Sequence, residues 1–108
     1  MSSDCIFCKI IKKELSYELV KETDDIVAFK DINPKAAVHY LIVPKKHIKD
    51  AREITSEDSS LMANIFYVAQ ELSKGEDFRL VMNNGSYVGQ SVFHMHIHFL
   101  SKTKMSDF

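Results

Sequence analysis

The sequence has no long apolar run, no excess of basic residues and no secretion signal. None of its apolar runs approaches the ~20 residues that a helix needs to cross a bilayer. Fourteen Lys and Arg stand against fifteen Asp and Glu, which excludes the basic footprint typical of nucleic-acid-binding proteins. The segment Met1–Cys5 has no basic stretch followed by an apolar core. We therefore expect a soluble cytoplasmic protein that binds neither nucleic acid nor membrane.

Internal repeats, low-complexity runs and linkers are absent as well. A length of 108 residues is typical of one domain, so we expect residues 1–108 to form a single domain. A domain this short buries only about 60–70% of the surface that its unfolded chain exposes. A bound metal ion or a partner subunit would therefore help to stabilise it.

Cysteine is scarce, with only Cys5 and Cys8 in a C-x-x-C motif. In a reducing compartment the two are thiols rather than a disulfide. The motif alone is compatible with a redox pair, half of a zinc site or two buried thiols. A redox pair requires a thioredoxin-like βαβ context, which does not follow in the sequence, and the other two interpretations remain open.

The pattern of apolar residues predicts an α+β fold. Helical spacing predicts a helix over Cys5–Leu15 and a longer one that Thr55 and Asp58 open and Gly75 ends. Because only one long helix interrupts the strands, we expect an antiparallel sheet with helices on one side. Alternation and turn signals place the strands at Tyr17–Glu22, Ile26–Lys30, His39–Val43, Phe78–Met82 and Ser91–Leu100.

Three of the five histidines lie in the last predicted strand and alternate with apolar residues, as Phe93-His94-Met95-His96-Ile97-His98-Phe99. Successive side chains of a strand point to opposite faces, so we expect Phe93, Met95, Ile97 and Phe99 to face a core. The three imidazoles then share the other face, at Cα spacings of about 6.6 Å. Such a face is a polar surface stripe, a metal site or a catalytic site. Catalysis on a phosphoryl group is favoured, because neutral imidazole is a nucleophile near pH 7 and imidazolium stabilises anionic oxygens.

The loop before this strand carries Gly89, Gln90 and Ser91. Gly89 permits a close approach of the backbone, and the next two residues supply N–H and side-chain donors. The tripeptide alone is weak evidence, but its place directly before three aligned histidines indicates a phosphate-binding loop.

Five segments, in the same order along the chain, resemble the histidine triad (HIT) superfamily, and most closely its Hint branch of purine nucleoside phosphoramidate hydrolases. These segments are Cys5–Ile11, Phe29–Pro34, His39–Ile48, Asn83–Gly85 and Gly89–His98. The resemblance implies a five-stranded antiparallel sheet with two main helices. It also implies a homodimer, in which the long helix and the fourth strand pair two protomers into a ten-stranded sheet.

The resemblance implies a chemistry for the triad. His96 matches the nucleophile, which attacks the α-phosphorus of an adenylyl or guanylyl compound and forms a nucleotidyl-histidine intermediate. Water then releases the nucleoside monophosphate, and no metal takes part. His98 matches the residue that contacts the phosphate, and His39 matches one that supports the triad by hydrogen bonding.

The resemblance also implies a purine nucleotide pocket. Asp31 matches the carboxylate that binds the ribose hydroxyls, and Asn83 matches a further nucleotide-binding position. The loop that holds phosphate and helps the leaving group corresponds to Gly89, Gln90 and Ser91. The apolar walls around the base correspond to Ile6, Phe7, Ile10 and Phe29, and Ile32 lies beside Asp31.

The C-x-x-C motif resembles that of zinc-binding members of the superfamily, and this resemblance implies a zinc site. The corresponding ligands here are Cys5, Cys8, His47 and His94, which would form one closed structural zinc site per protomer. His96 would then stay free for the reaction.

Two other functions remain in view. One is cleavage of dinucleoside polyphosphates, as in the fragile-histidine-triad branch of the superfamily, and the other is a non-catalytic role in binding purine nucleotides. The segment Pro44–His47 favours the phosphoramidate activity only modestly.

Overall fold

The computed structural model describes residues 4–107, so Met1–Ser3 and Phe108, the ends of the predicted domain, lie outside the described residues. The strands form one antiparallel sheet of five in the order β1-β2-β3-β5-β4, which confirms the predicted fold class. No helix in the described residues is long and apolar enough to cross a membrane. The elements are α1 (Ile6–Ile11), β1 (Leu19–Glu22), β2 (Ile26–Lys30), β3 (Val38–Pro44), α2 (Ser59–Ser73), β4 (Phe78–Val81) and β5 (Ile97–Ser101).

The two helices cover opposite faces of the sheet, so the expectation that both lie on one side was wrong. Alternate residues of β2 and β3 point to opposite faces, and both faces are apolar. One face packs against α2, in a cluster that includes Ile26, Ala28, Ile42, Met95, Ile97 and Phe99. The other packs against α1, in a cluster of Phe7, Ile10, Val27, Phe29, Leu41 and Val43.

The predicted strand Ser91–Leu100 is correct only in its second half, because β5 begins at Ile97. Pairing with β3 starts at Ile42 and Ile97, and Pro44, two residues further along β3, has no N–H to offer a ladder. The N–H of Met95 bonds instead to the Ile48 carbonyl at 2.7 Å. Phe93, expected in the core, is consequently 46% exposed, whereas Met95, Ile97 and Phe99 are buried as predicted.

The first helix is also shorter than predicted and ends at Ile11 rather than Leu15. The chain turns at Lys13, whose φ is 64°, and the N–H of Glu14 bonds to the Lys9 carbonyl at 2.8 Å. Only Phe7 and Ile10 of this helix are buried. The predicted strand Ile26–Lys30 matches β2 at both ends, and, apart from the start of β5, the remaining strand ends differ from the prediction by at most two residues.

The long helix begins with the predicted capping arrangement. The Thr55 hydroxyl accepts a hydrogen bond from the N–H of Glu57 at 3.3 Å, and the Asp58 carboxylate accepts one from the N–H of Thr55 at 3.0 Å. A short 3₁₀ turn, Ser56–Asp58, precedes α2. The helix ends in a left-handed residue, Lys74, with Gly75 directly after it.

We expect Thr55→Ala to lower the free energy of unfolding by about 1 kcal/mol, because it removes a side-chain cap from the start of the helix. Thr55→Ser keeps the hydroxyl and should retain most of that stability. Urea denaturation of both variants and the wild type makes the measurement. Equal losses in the two variants would mean that the hydroxyl contributes nothing.

Candidate functional site

A cleft of about 610 Å³ opens on the face of the sheet that carries α1. One wall is the start of α1, the floor comes from β3 and β5, and the loop before β5 forms the far side. Most of the predicted catalytic and nucleotide-binding residues line it. They are Ile6, Phe7, Asp31, Ile32, His39, Asn83, Gly89, Ser91, His96 and His98.

Three predicted residues do not line the cleft. Phe29 is fully buried behind Phe7, with ring centroids 5.6 Å apart, and Ile10 packs in the same cluster. The side chain of Gln90 turns into its own loop, where its oxygen accepts from the N–H of Gly85 at 2.7 Å and its nitrogen donates to the Lys49 carbonyl at 2.8 Å. These side chains therefore hold the wall and the loop in shape from behind.

The cleft also contains residues that sequence reasoning missed. Tyr17 packs edge-on against Phe29 with ring centroids 5.2 Å apart, and its sequence context carries no motif. Lys35 is the one Lys or Arg among the described lining residues, and its position between Asp31 and His39 was the available signal. The other missed lining residues are Asn33, Leu41, Val81, Val92 and Leu100.

A hydrogen bond to the backbone fixes the tautomer of the neutral His96 ring. Its Nδ1 lies 2.8 Å from the carbonyl oxygen of His94, and a carbonyl only accepts, so Nδ1 carries the hydrogen. The lone pair of the neutral ring is then on Nε2. The ring is buried and packs against Phe7, with centroids 5.1 Å apart, which fixes its orientation at the cleft.

His98 and His39 form a directed chain of hydrogen bonds. The N–H of Lys35 donates to Nδ1 of His39 at 3.0 Å, so the hydrogen of the neutral His39 ring is on Nε2. This Nε2–H donates to Nδ1 of His98 at 2.9 Å. Oδ2 of Asp31 lies 3.4 Å from the same Nε2 of His39. The remaining nitrogen of neutral His98, Nε2, therefore carries a hydrogen and is a donor.

Both histidines of this chain are neutral near pH 7. Burial, together with the nearby rings of His96 and His39, lowers the pKa of His98 from 6.5 to about 4. Burial also lowers the pKa of His39, although the Asp31 carboxylate acts in the opposite direction. Neutral rings are the form that the chain of hydrogen bonds requires.

A second group of side chains meets behind α1. One ligand atom from each of Cys5, Cys8, His47 and His94 lies within 4.8 Å of the other three. Nδ1 of His94 lies 3.4 and 3.6 Å from the two sulfurs, and Nδ1 of His47 lies 3.2 Å from Sγ of Cys8. A tetrahedral zinc with bonds of about 2.0–2.3 Å would separate its ligands by about 3.3–3.8 Å, so the spacing suits such an ion.

The chemistry of this donor set also suits a metal. Nε2 of His94 donates to the carbonyl of Pro44 at 2.7 Å, which leaves the lone pair on Nδ1, the nitrogen that faces the sulfurs. In the absence of an ion, burial and the hydrogen bond with Cys5 raise the pKa of Cys8 to about 11, and burial lowers the pKa of His94 to about 4. A divalent cation would therefore displace a thiol proton on binding.

Asp31, His39 and His98 are a trio whose ligand atoms also lie within 4.8 Å of one another. Their nitrogens are already paired with each other and with the N–H of Lys35. This trio is therefore a hydrogen-bonded chain, and its nitrogens are not directed at a common point.

Comparison with known proteins relates this chain to one family. A family model described as "Scavenger mRNA decapping enzyme C-term binding" matches residues 4–108. An uncharacterised HIT-like protein of Synechocystis is 46% identical over 104 residues, covering 93% of this chain and 91% of that protein. The chain belongs to the HIT family.

Solved HIT family structures share the whole fold. The HIT family hydrolase of Legionella pneumophila superposes with a TM-score of 0.91 at 42% identity, over 95% of this chain and 96% of that one. The HIT family hydrolase of Clostridium thermocellum gives a TM-score of 0.94 at 38% identity, over 98% and 96%. The cleft and its histidines therefore lie in a fold that known HIT hydrolases use.

We expect the stability of the protein to fall as the pH drops from about 6.5 towards 4, because unfolded histidines take up protons that the folded His98 does not. Each such proton contributes up to about 1.4 kcal/mol per pH unit. Urea denaturation of the wild type and His98→Gln at pH 7 and pH 5 tests this. The variant should lose less stability between the two pH values, and identical losses would contradict the assigned shift.

Proposed function

We propose that this protein hydrolyses the P–N bond of adenylyl or guanylyl phosphoramidates through a nucleotidyl intermediate on His96. The observation that carries the proposal is the hydrogen bond from Nδ1 of His96 to the His94 carbonyl. It leaves the lone pair on Nε2, in a ring that lines the cleft. An imidazole in this form is a competent nucleophile at neutral pH.

The lining of the cleft supports a nucleoside on one side of His96. Ile6, Phe7 and Ile32 supply apolar surface for a purine base. The Asp31 carboxylate lies in the same cleft and suits two ribose hydroxyls, since a carboxylate accepts several hydrogen bonds. Asn83 is placed to bind the same nucleotide. The α-phosphate then lies between His96, His98 and the Gly89–Ser91 loop.

In the first step, the lone pair of Nε2 of His96 forms a bond to phosphorus while the P–N bond breaks. The leaving nitrogen keeps the electron pair of that bond and takes up a proton from solvent. The Ser91 hydroxyl and Nε2–H of His98 are the donors available for the departing nitrogen and the phosphate oxygens. His39 acts as a positioning residue, because its Nε2–H fixes the tautomer of His98.

In the second step, water attacks phosphorus and releases a proton to solvent while the bond to Nε2 breaks. The electron pair returns to the His96 ring, and the products are the nucleoside monophosphate and a free imidazole. The hydrogen bond to the His94 carbonyl persists through both steps, since only Nε2 changes its bonding. The same bond stabilises the positive charge that the ring carries in the intermediate.

Zinc would be held by Cys5, Cys8, His47 and His94, with a structural role. The four ligands close the tetrahedron and leave no open position for substrate. The ion would anchor α1 to the sheet, because Cys5 caps this helix and accepts the N–H of Cys8 at 3.4 Å. Phe7 on the same helix packs against both His94 and His96, so the anchor lies directly behind the nucleotide wall.

We also propose the homodimer formed through α2 and β4. β4 is an edge strand of the sheet. Phe66 and Tyr67 on α2, Phe78 on β4 and Met82 just beyond it are large apolar residues left exposed on the isolated chain. Exposed apolar surface beside a free strand edge is typical of a surface that pairs with a second copy.

We expect His96→Ala to lower kcat/KM for adenosine 5′-phosphoramidate by at least about 10⁴-fold, as removal of a nucleophile does. A ³²P-labelled adenylyl substrate should label the wild type at His96 and leave the variant unlabelled, while the variant still binds AMP. Ser91→Ala is the matched control, because it keeps the nucleophile and should still form the labelled protein.

A wild-type rate in His96→Ala would remove the proposed nucleophile. Side-by-side assays with a dinucleoside polyphosphate decide between P–N and P–O cleavage. Binding of AMP without turnover of either substrate would favour the non-catalytic role.

We expect metal analysis to find about one zinc per protomer in the wild type and none in Cys5→Ala/Cys8→Ala. Loss of the anchor should raise KM for the nucleotide substrate more than it lowers kcat, because Ile6 and Phe7 line the wall while the ring of His96 keeps its hydrogen bond to the His94 carbonyl. A protein purified without zinc that keeps full affinity for AMP would contradict this role.

A further inference from the structure

The catalytic cleft does not end at Ser91. A second groove of about 550 Å³ shares Ile6, Ser91 and Val92 with it. A third groove of about 440 Å³ shares Lys49 and Phe93 with the second. The surface therefore runs without interruption from His96, past Ser91, to the loop that holds Tyr87.

The proposed reaction gives this extension a role. In a phosphoryl transfer the attacking and leaving atoms lie roughly in line on opposite sides of phosphorus. The nucleoside is placed among Phe7, Asp31 and Ile32, and His96 attacks from the floor. The remaining direction leads past Ser91 into the second groove, so the leaving group enters the extension.

The charges along the extension are not uniform. The second groove contains the carboxylates of Asp4 and Glu53 beside the ammonium of Lys49. Among the described residues that line the third groove, none is acidic, and Lys49 is joined there by Arg52. The Arg52 guanidinium is bound to Asp50 at 2.8 Å, whereas Lys49 makes no ion pair with any residue from 4 to 107.

The extension also carries aromatic surface. Nζ of Lys49 lies 5.7 Å from the centre of the Phe93 ring, so a free cation is held above an exposed aromatic face. Tyr87 beyond it is 102% exposed. Phe93 was expected in the core, and the departure of the chain from the sheet before Ile97 is what brings it to the surface.

We propose that this extension is a leaving-group subsite for an aromatic amine that carries an anionic group. The inference rests on the proposed P–N hydrolysis. The ring of the amine packs against Phe93, and its anionic group faces Lys49 on the side of the third groove, away from Asp4 and Glu53. The chain from Ser91 to Phe93 spans at most about 7 Å, so an aromatic amine joined directly to phosphorus is long enough to contact Phe93.

Four adenosine 5′-phosphoramidates separate the contributions of charge and ring. Their leaving amines are 4-aminobenzoate, the matched neutral amide 4-aminobenzamide, glycine and glycinamide. The wild type should show a kcat/KM for the 4-aminobenzoate compound about two- to fivefold above that for the amide, the range of an exposed ion pair. This ratio should fall towards one as salt is raised, and it should be smaller for the glycine pair.

The variants address each contact. Lys49→Met keeps the length of the side chain without its charge. It should bring the charge ratio, kcat/KM for the 4-aminobenzoate compound divided by that for the 4-aminobenzamide compound, to about one. Lys49→Glu should bring the same ratio below one. Phe93→Leu should remove the advantage of the aromatic pair over the glycine pair. Lys104→Met removes an exposed lysine outside the extension and should leave every ratio at its wild-type value. Each ratio compares two substrates on one protein, so a loss of folded protein cancels.

Dissociation constants of the four compounds for His96→Ala give a second readout that does not depend on turnover. A wild type that hydrolyses all four compounds with no charge ratio, and a variant that binds them equally, would overturn the subsite and leave the proposed function intact. Absence of turnover with a clear binding ratio abolished by Lys49→Met would overturn the hydrolysis and retain the binding subsite. Equal ratios in Lys49→Met and the wild type would also overturn the assignment of Lys49.

Discussion

The hydrogen bond between Nδ1 of His96 and the carbonyl of His94 determines what the cleft can do. It decides which nitrogen of the neutral central imidazole carries the lone pair, and thus which atom would attack phosphorus in the proposed reaction. The bond depends on a local irregularity of the backbone. A carbonyl in the middle of a sheet accepts a hydrogen bond from a neighbouring strand. His94 lies before β5 begins, so its carbonyl can accept the hydrogen bond from the His96 ring instead.

The same irregularity explains where sequence reasoning succeeded and where it stopped. Alternation correctly placed Met95, Ile97 and Phe99 in the core, since their side chains still face α2. It could not locate the start of β5, because that is set by Pro44 on another strand, far away in sequence. The exposure of Phe93 follows from this tertiary constraint, which the local pattern does not contain.

The site shows a similar division. The family resemblance and the alternation of the histidines pointed to residues such as Asp31 and His98, and both line the cleft. They could not separate residues that line the cleft from those behind them, and Phe29 and Gln90 lie behind. Nor could they show that the Lys35 N–H sets the tautomer of His39, since this depends on a backbone atom and not on the identity of the side chain.

Helix α1 is six residues long, and it borders both the cleft and the group formed by Cys5, Cys8, His47 and His94. Cys5 at its start faces His94 in the Cys/His group, and Phe7, two residues on, lines the cleft. Two ligands that share one small rigid element are thermodynamically coupled, and such coupling acts equally in both directions. If zinc strengthens the binding of a nucleotide, a bound nucleotide must increase the affinity for zinc by the same free energy, so the measured affinity for zinc would report how much nucleotide is present.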